Sequence, residues 1–190
     1  MKTDIILCGV GGQGILSIAT VIGEAATACS LYLKQAEVHG MSQRGGDVQS
    51  DLRLSDSPVG SDLIPRGEAD LIISMEPMEA LRYIDRLSNV GTVITSSRPF
   101  VNIPNYPSQE DIMRELESLP HLVAADIEAL AAERKFPRSA NMLLLGMAAP
   151  YLSIIPREEL RSAVERVFAR KGKAVVEANL AAFDLGTSIK

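Results

Sequence analysis

The feature that most constrains this chain is an apolar run that breaks into glycines. Ile5-Ile6-Leu7-Cys8 leads into Gly9-Val10-Gly11-Gly12-Gln13-Gly14, and a stretch of small apolar residues follows from Ile15. A buried strand over 4–10, a tight glycine turn and a helix over 15–29 make a βα unit. Gly9, Gly11 and Gly14 keep a GxGxxG spacing, in which glycines let backbone approach a pyrophosphate held at a helix N-terminus. Three readings of the loop stay open on spacing alone: a nucleotide or other phosphate, an anion or coenzyme A contact, and close packing of the turn. The Gln13 amide can span backbone groups or reach a partner, but it supplies neither the positive charge of a phosphate-loop lysine nor a hydroxyl for magnesium, so an ATPase loop is excluded.

The rest of the chain keeps alternating. Strands are expected over 31–38, 48–54, 70–75, 91–95 and 121–125, and helices over 77–87, 108–119, 127–132, 141–152, from Pro156 onward, and over 175–183. Ser108 is a cap for its helix, with Gln109, Glu110 and Asp111 in the first turn. Gly146 and Pro150 are expected to interrupt or relax the helix over 141–152, and residues 99–107, bounded by prolines, to form an extended loop. The short connection between the second and third strands favours an antiparallel return. The fold class is therefore α/β: a three-layer α/β/α Rossmann-like domain spanning 1–190, with a mainly parallel, mixed sheet.

Composition narrows the partners. The 190 residues carry a formal net charge of -5, and Arg170-Lys171-Gly172-Lys173 is a short basic run without interleaved aromatics, so nucleic acid is a poor partner. Two cysteines, Cys8 and Cys29, make neither a disulfide framework nor a metal-ligand spacing, and two histidines do not define a metal site. A reducing, cytoplasmic setting fits. The opening Met1-Lys2-Thr3-Asp4 reads as the start of a strand rather than a signal peptide, and no apolar stretch is long enough to span a membrane.

Polar residues gather in two places. Glu37, His39, Gln43, Arg44, Gly45 and Gly46 lie in one strand-to-loop passage, where Arg44 can hold a carboxylate or phosphate through two donors, Gln43 can orient the same group, and glycine lets another backbone approach. The alternative is that they tie the loop down or meet another subunit. Glu37 also falls near the position of a ribose-binding acid. Glu76 follows the strand over 70–75, at the carboxyl end where α/β ligands collect; the competing reading is that Glu76 and Glu79 stabilise the start of the next helix. Asn141 is a candidate cap for the helix it opens.

With these residues in view, the chain resembles the gamma-type domain of the 2-oxoacid:ferredoxin oxidoreductases over nearly its whole length. The resemblance rests on Gly9-Val10-Gly11-Gly12-Gln13-Gly14-Ile15, on the stretch from Gln35 through Gly46, on Glu76-Pro77-Met78-Glu79-Ala80-Leu81-Arg82 and on Asn141-Met142-Leu143-Leu144-Leu145-Gly146. Val101-Asn102-Ile103-Pro104-Asn105-Tyr106-Pro107 is similar to the indolepyruvate branch. The chain departs from the family at Arg134-Lys135-Phe136-Pro137, where a more glycine-rich turn is common.

The resemblance implies coenzyme A-dependent oxidative decarboxylation of aryl-2-oxo acids, with coenzyme A as co-substrate and ferredoxin reduced through the assembled enzyme. It implies a large partner subunit carrying thiamine diphosphate and iron–sulfur clusters, no cofactor firmly held by this chain alone, and no nicotinamide site. Gln13, Glu37, Gln43 and Arg44 are then expected to organise the rim of the partner's thiamine site or a coenzyme A path. A structural or assembly module of another 2-oxoacid oxidoreductase remains an alternative. So does a standalone nucleotide-binding oxidoreductase.

Overall fold

The structure, a computed structural model, describes residues 1–39 and 45–189, with His39 described through its backbone only. Six strands, β1 (Lys2–Val10), β2 (Tyr32–His39), β3 (Asp47–Ser55), β4 (Ala69–Ser74), β5 (Leu87–Ser96) and β6 (Leu122–Ala125), form one sheet in the order β2-β3-β1-β4-β5-β6. β3 runs antiparallel to both neighbours, while β1, β4, β5 and β6 pair in parallel. The mixed sheet expected from the short second connection is therefore present.

Helices α1 (Ile15–Ala28), α2 (Pro77–Arg82), α3 (Gln109–Glu117), α4 (Ile127–Glu133), α5 (Ala140–Ala148), α6 (Arg157–Phe168) and α7 (Lys173–Gly186) cover the two faces. Odd positions of β1, Ile5 and Leu7, enter the core built with α1, α4 and α5; even positions, Ile6 and Cys8, enter the core under α2 and α3. Burial on both faces explains why β1 reads as a continuous apolar run instead of alternating. α6 and α7 pack outside α1 and α5 and belong to the larger core. Enclosed between the sheet and α7, α5 is buried at every position except the half-buried Asn141, which accounts for a helix apolar all round.

Several boundaries differ from the sequence reading, each through a tertiary contact. The helix expected over 77–87 ends at Arg82, a 3-10 turn covers Ile84–Arg86, and Leu87 already belongs to β5, which was expected only from Gly91. Tyr83 turns inward to hydrogen-bond Asp47, while the Arg86 guanidinium reaches the buried Asp51 carboxylate (Nη1–Oδ1 3.2 Å) and the Ile64 carbonyl (2.7 Å). These two contacts use side chains that a longer α2 would point elsewhere. The last helix begins earlier and ends later than 175–183. Gly146 does not interrupt α5, because it lies inside the helix where α7 crosses. Asn141 is not the cap of α5: the capping position is Ser139, and Asn141 lies within the first turn. Ser108, by contrast, caps α3 as expected by accepting from the Asp111 N–H at 3.1 Å.

Candidate functional site

The carboxyl end of β1 brings two glycine-bearing stretches together. The Gly11 N–H donates to the Gly46 carbonyl at 2.8 Å, and the Gly45 N–H returns to the Gly11 carbonyl at 3.3 Å. The second stretch is thus clasped to the first through backbone. Gln13 fastens the same rim from within, its Oε1 accepting from the Val10 N–H at 2.7 Å and its Nε2 donating to the Met75 carbonyl at 3.3 Å. One side chain therefore joins the ends of β1 and β4, the backbone-spanning use open to an amide.

Gly14 caps α1 in a left-handed conformation (φ 86°), and Asn141 donates through Nδ2 to its carbonyl at 3.1 Å. A Cβ on Gly14 would stand 2.7 Å from that Nδ2, so a side chain there would have to displace the Asn141 amide as well as hold a left-handed backbone. Gly9 is buried within β1 beside Gln13, while Gly12 is exposed. Glu37 is exposed on β2, in register with Ser50. β3 stands between β2 and β1, so this acid lies one strand farther from the glycine loop than in a dinucleotide fold, where the second strand adjoins the first. The backbone of His39 pairs with Val48; its side chain, Gln43 and Arg44 lie outside the described residues.

Glu76 is fully buried. Its Oε2 accepts from the Glu79 N–H at 2.8 Å, capping α2 ahead of Pro77, and its Oε1 accepts from the Phe100 N–H at 3.2 Å and from the Tyr106 hydroxyl. Burial, and then the Glu76 carboxylate, raise the Tyr106 pKa, so the phenol stays a proton donor. Above this anchor Asn102 donates through Nδ2 to the Gly45 carbonyl at 2.9 Å, which brings the loop over 97–107 against the rim.

Further groups line the same end. The Tyr83 hydroxyl donates to Asp47 at 3.0 and 3.2 Å, and Glu79 pairs with Arg82 through two contacts of 2.8 and 3.1 Å. Burial raises the Glu79 carboxyl, Arg82 opposes that shift and Asp47 adds to it. Cys8 is enclosed beneath, its Sγ donating to the Glu79 carbonyl at 3.5 Å, and burial pushes the thiol well above its usual range, so it is no nucleophile. At the end of β5, Ser96 donates to Glu128 Oε2 at 2.8 Å.

Sequence reasoning brought the glycine stretches and Glu76 forward. It missed Asn102 as the tie to Gly45, Tyr106 as a donor to Glu76, and Tyr83 and Asp47 as a pair. The first and last of these join residues 57 and 36 positions apart, with no local pattern to announce them. Among the described residues no group of three or more His, Cys, Asp or Glu is arranged to hold a metal ion, and no helix is long and apolar enough to cross a membrane.

The family model described as pyruvate ferredoxin/flavodoxin oxidoreductase matches residues 4–189. The chain is 38% identical over 192 residues to indolepyruvate oxidoreductase subunit IorB of Pyrococcus horikoshii, covering 96% of this chain and 93% of that one. It is 39% identical over 156 residues to the protein of the same name from Methanothermobacter thermautotrophicus, covering 78% and 79%. Among solved structures, the gamma subunit of a keto/oxoacid ferredoxin oxidoreductase from Geobacter sulfurreducens shares the fold with a TM-score of 0.72 at 23% identity, covering 98% of this chain and 96% of that one. A 2-oxoglutarate:ferredoxin oxidoreductase from Magnetococcus marinus, with 2-oxoglutarate, coenzyme A and succinyl-CoA bound, gives a TM-score of 0.76 at 20% identity. It covers 98% of this chain and 30% of that longer one.

Proposed function

The chain belongs to the pyruvate ferredoxin/flavodoxin oxidoreductase family, and from that membership we propose that it is the small subunit of a coenzyme A-dependent 2-oxoacid:ferredoxin oxidoreductase acting on indolepyruvate and related arylpyruvates. The names of its archaeal relatives support the substrate class. The products of this reaction are an aryl-acetyl-CoA, carbon dioxide and reduced ferredoxin, in a cytoplasmic setting. The whole chain acts as one gamma-type domain.

The redox chemistry belongs to a larger subunit. Thiamine diphosphate stabilises a carbanion and iron–sulfur clusters carry single electrons. A cluster of the ferredoxin type takes four thiolates, and this chain offers one cysteine enclosed in the core and another at the end of α1 away from the glycine loop, so its residues do not fit one. What this chain contributes is a shaped edge. The observation that carries the reading is the Gly11–Gly46 clasp, which joins two of the family's signature stretches at the carboxyl end of the sheet, where α/β folds receive ligands. Gln13 organises that edge from inside; on this reading Glu37, Gln43 and Arg44 would serve the shared site in the assembled enzyme, Arg44 by neutralising an acidic group of the thiamine site or coenzyme A path. His39 belongs to the same passage.

The test is co-purification with the larger subunit, followed by ferredoxin reduction with indolepyruvate, phenylpyruvate and its hydroxyphenyl analogue, with and without coenzyme A. Activity is expected only from the assembled pair and only with coenzyme A. Full activity from either subunit alone, or no binding between them, would overturn the assignment.

A further inference from the structure

Resting on the reading of this chain as the small subunit of a larger oxidoreductase, we propose that Glu76 is a positioning residue, holding the loop over 97–107 so that Phe100, Val101 and Ile103 form the contact surface for the larger subunit beside the Gly45–Gly46 turn. Glu76 is a carboxylate with no exposure whose three hydrogen-bond donors, the Glu79 N–H, the Phe100 N–H and the Tyr106 hydroxyl, are all neutral. Burying such a group is costly unless its lone pairs are satisfied. Helix capping needs one of those bonds, and serine or aspartate makes it at less cost. The other two go to positions 100 and 106 of one loop, so a single carboxylate staples both sides of its tip. Asn102, between them, is tied to Gly45 at 2.9 Å.

A loop pinned at three points keeps its backbone in place while turning its largest apolar side chains outward. Phe100 is 45% exposed, Val101 69% and Ile103 38%, and Val38 and Leu16 add exposed apolar surface at the same end of the sheet. An apolar patch held rigid in advance lowers the ordering cost of association. The exposed carboxylates Glu37, toward the end of β2, and Asp47, at the start of β3, lie at the same end of the sheet. The occupant that fits is a protein face with an apolar centre edged by basic side chains, and the larger subunit is the partner the proposed activity requires.

The experiment titrates purified larger subunit with variants of this chain, measuring both binding and the concentration of small subunit that half-saturates ferredoxin reduction. The triple variant Phe100→Ser, Val101→Ser, Ile103→Ser is expected to bind at least about tenfold more weakly, the loss of a few anchoring contacts, and to recover its full rate at saturation. Glu76→Ala should do the same, Glu76→Gln less, and Leu63→Ser with Val90→Ser, exposed at the opposite end, nothing. A purely structural role for Glu76 would raise half-saturation only by the reciprocal of the folded fraction, measured separately by circular dichroism, and leave half-saturation per folded subunit unchanged. If Glu76→Ala does not fold, the surface triple variant still decides. Binding by the triple variant as tight as wild type, or equal weakening by the opposite-end control, would overturn the inference and leave the proposed function standing; failure of the unmodified chain to bind would remove both.

Discussion

Gly146 on α5 and Gly186 on α7 face each other with no room for a side chain between them. A Cβ built on Gly146 falls inside contact distance of the Phe183 carbonyl oxygen, and one on Gly186 inside that of the Leu143 carbonyl oxygen. Both obstacles are backbone and cannot swing aside. Gly146→Ala is therefore expected to destabilise the chain by about 2 kcal/mol or more despite alanine's better helix propensity. Gly186→Ala should act in the same direction. Once the helices have parted for one methyl the second costs less, so the double variant should lose less than the two single losses added together. Urea unfolding measures this through the midpoints at constant slope; a neutral Gly146→Ala would mean the helices do not pack this closely.

The turn after α4, where the sequence reading expected a more glycine-rich stretch, gives a prediction of opposite sign. Lys135 follows α4 with φ 66°, its N–H donating to the Ala132 carbonyl at 3.0 Å while the Phe136 N–H donates to the Ala131 carbonyl at 2.9 Å. That pair of bonds closes a helix through a left-handed residue, and a lysine there carries strain that glycine does not. Lys135→Gly is expected to raise stability by roughly 0.5–1 kcal/mol, the relief being partly offset by the freedom glycine adds to the unfolded chain. Thermal unfolding of Lys135→Gly beside Lys135→Ala tests it; an alanine variant as stable as the glycine variant would sink the argument.

Lys135 also marks how far the sequence was legible. A resemblance reveals a missing glycine, yet only the backbone angle tells that the lysine keeps the glycine's conformation. Where the signal is local, reading succeeded: Ser108 caps α3, Pro77 opens α2, and the apolar run of β1 lies buried on both faces. Reading failed where a distant partner decides. Asn141 fits a cap by its neighbours, but Gly14, 127 positions away, takes its amide. The Gln13 amide was legible as one able to span backbone groups, but not that the groups are Val10 and Met75, at the ends of two strands. Glu37 fits a ribose-binding acid by its distance along the chain, and only the strand order, with β3 inserted beside β1, moves it out of that role.

Glu128 offers a pH dependence. Burial raises its pKa above the ordinary carboxylate value, the Ser96 hydrogen bond opposes that shift and Asp126 adds to it. A carboxyl with a raised folded-state pKa binds its proton more tightly in the folded chain, so its contribution is fully present below the unfolded value and is lost as pH rises through the folded one. Glu128→Gln removes the titration while retaining an oxygen that accepts from Ser96. Relative to wild type the variant should gain stability as pH rises from about 4 toward 7, with other carboxyls cancelling in the comparison. Paired melting temperatures across that range measure it, and a difference independent of pH would show that Glu128 does not titrate abnormally.

Gln13 and Arg44 separate building the rim from using it. Both hydrogen-bonding atoms of the Gln13 amide are spent on backbone, on the Val10 N–H and the Met75 carbonyl, so Gln13→Leu should cost about 1–3 kcal/mol of stability, mainly from the half-buried backbone groups left unpaired. In the assembled enzyme its activity should fall only as far as the folded fraction falls. Arg44→Ala is expected to behave in the opposite way, leaving the melting temperature and assembly near wild type while lowering turnover, since on the proposed reading its guanidinium meets an acidic group of the cofactor or coenzyme A. Measuring stability, assembly and coenzyme A-dependent turnover for both variants gives a two-by-two comparison. A Gln13→Leu complex that is stable but slow would move the amide to the reacting ligands. An Arg44→Ala complex with undiminished turnover would leave the passage around it a purely structural clasp.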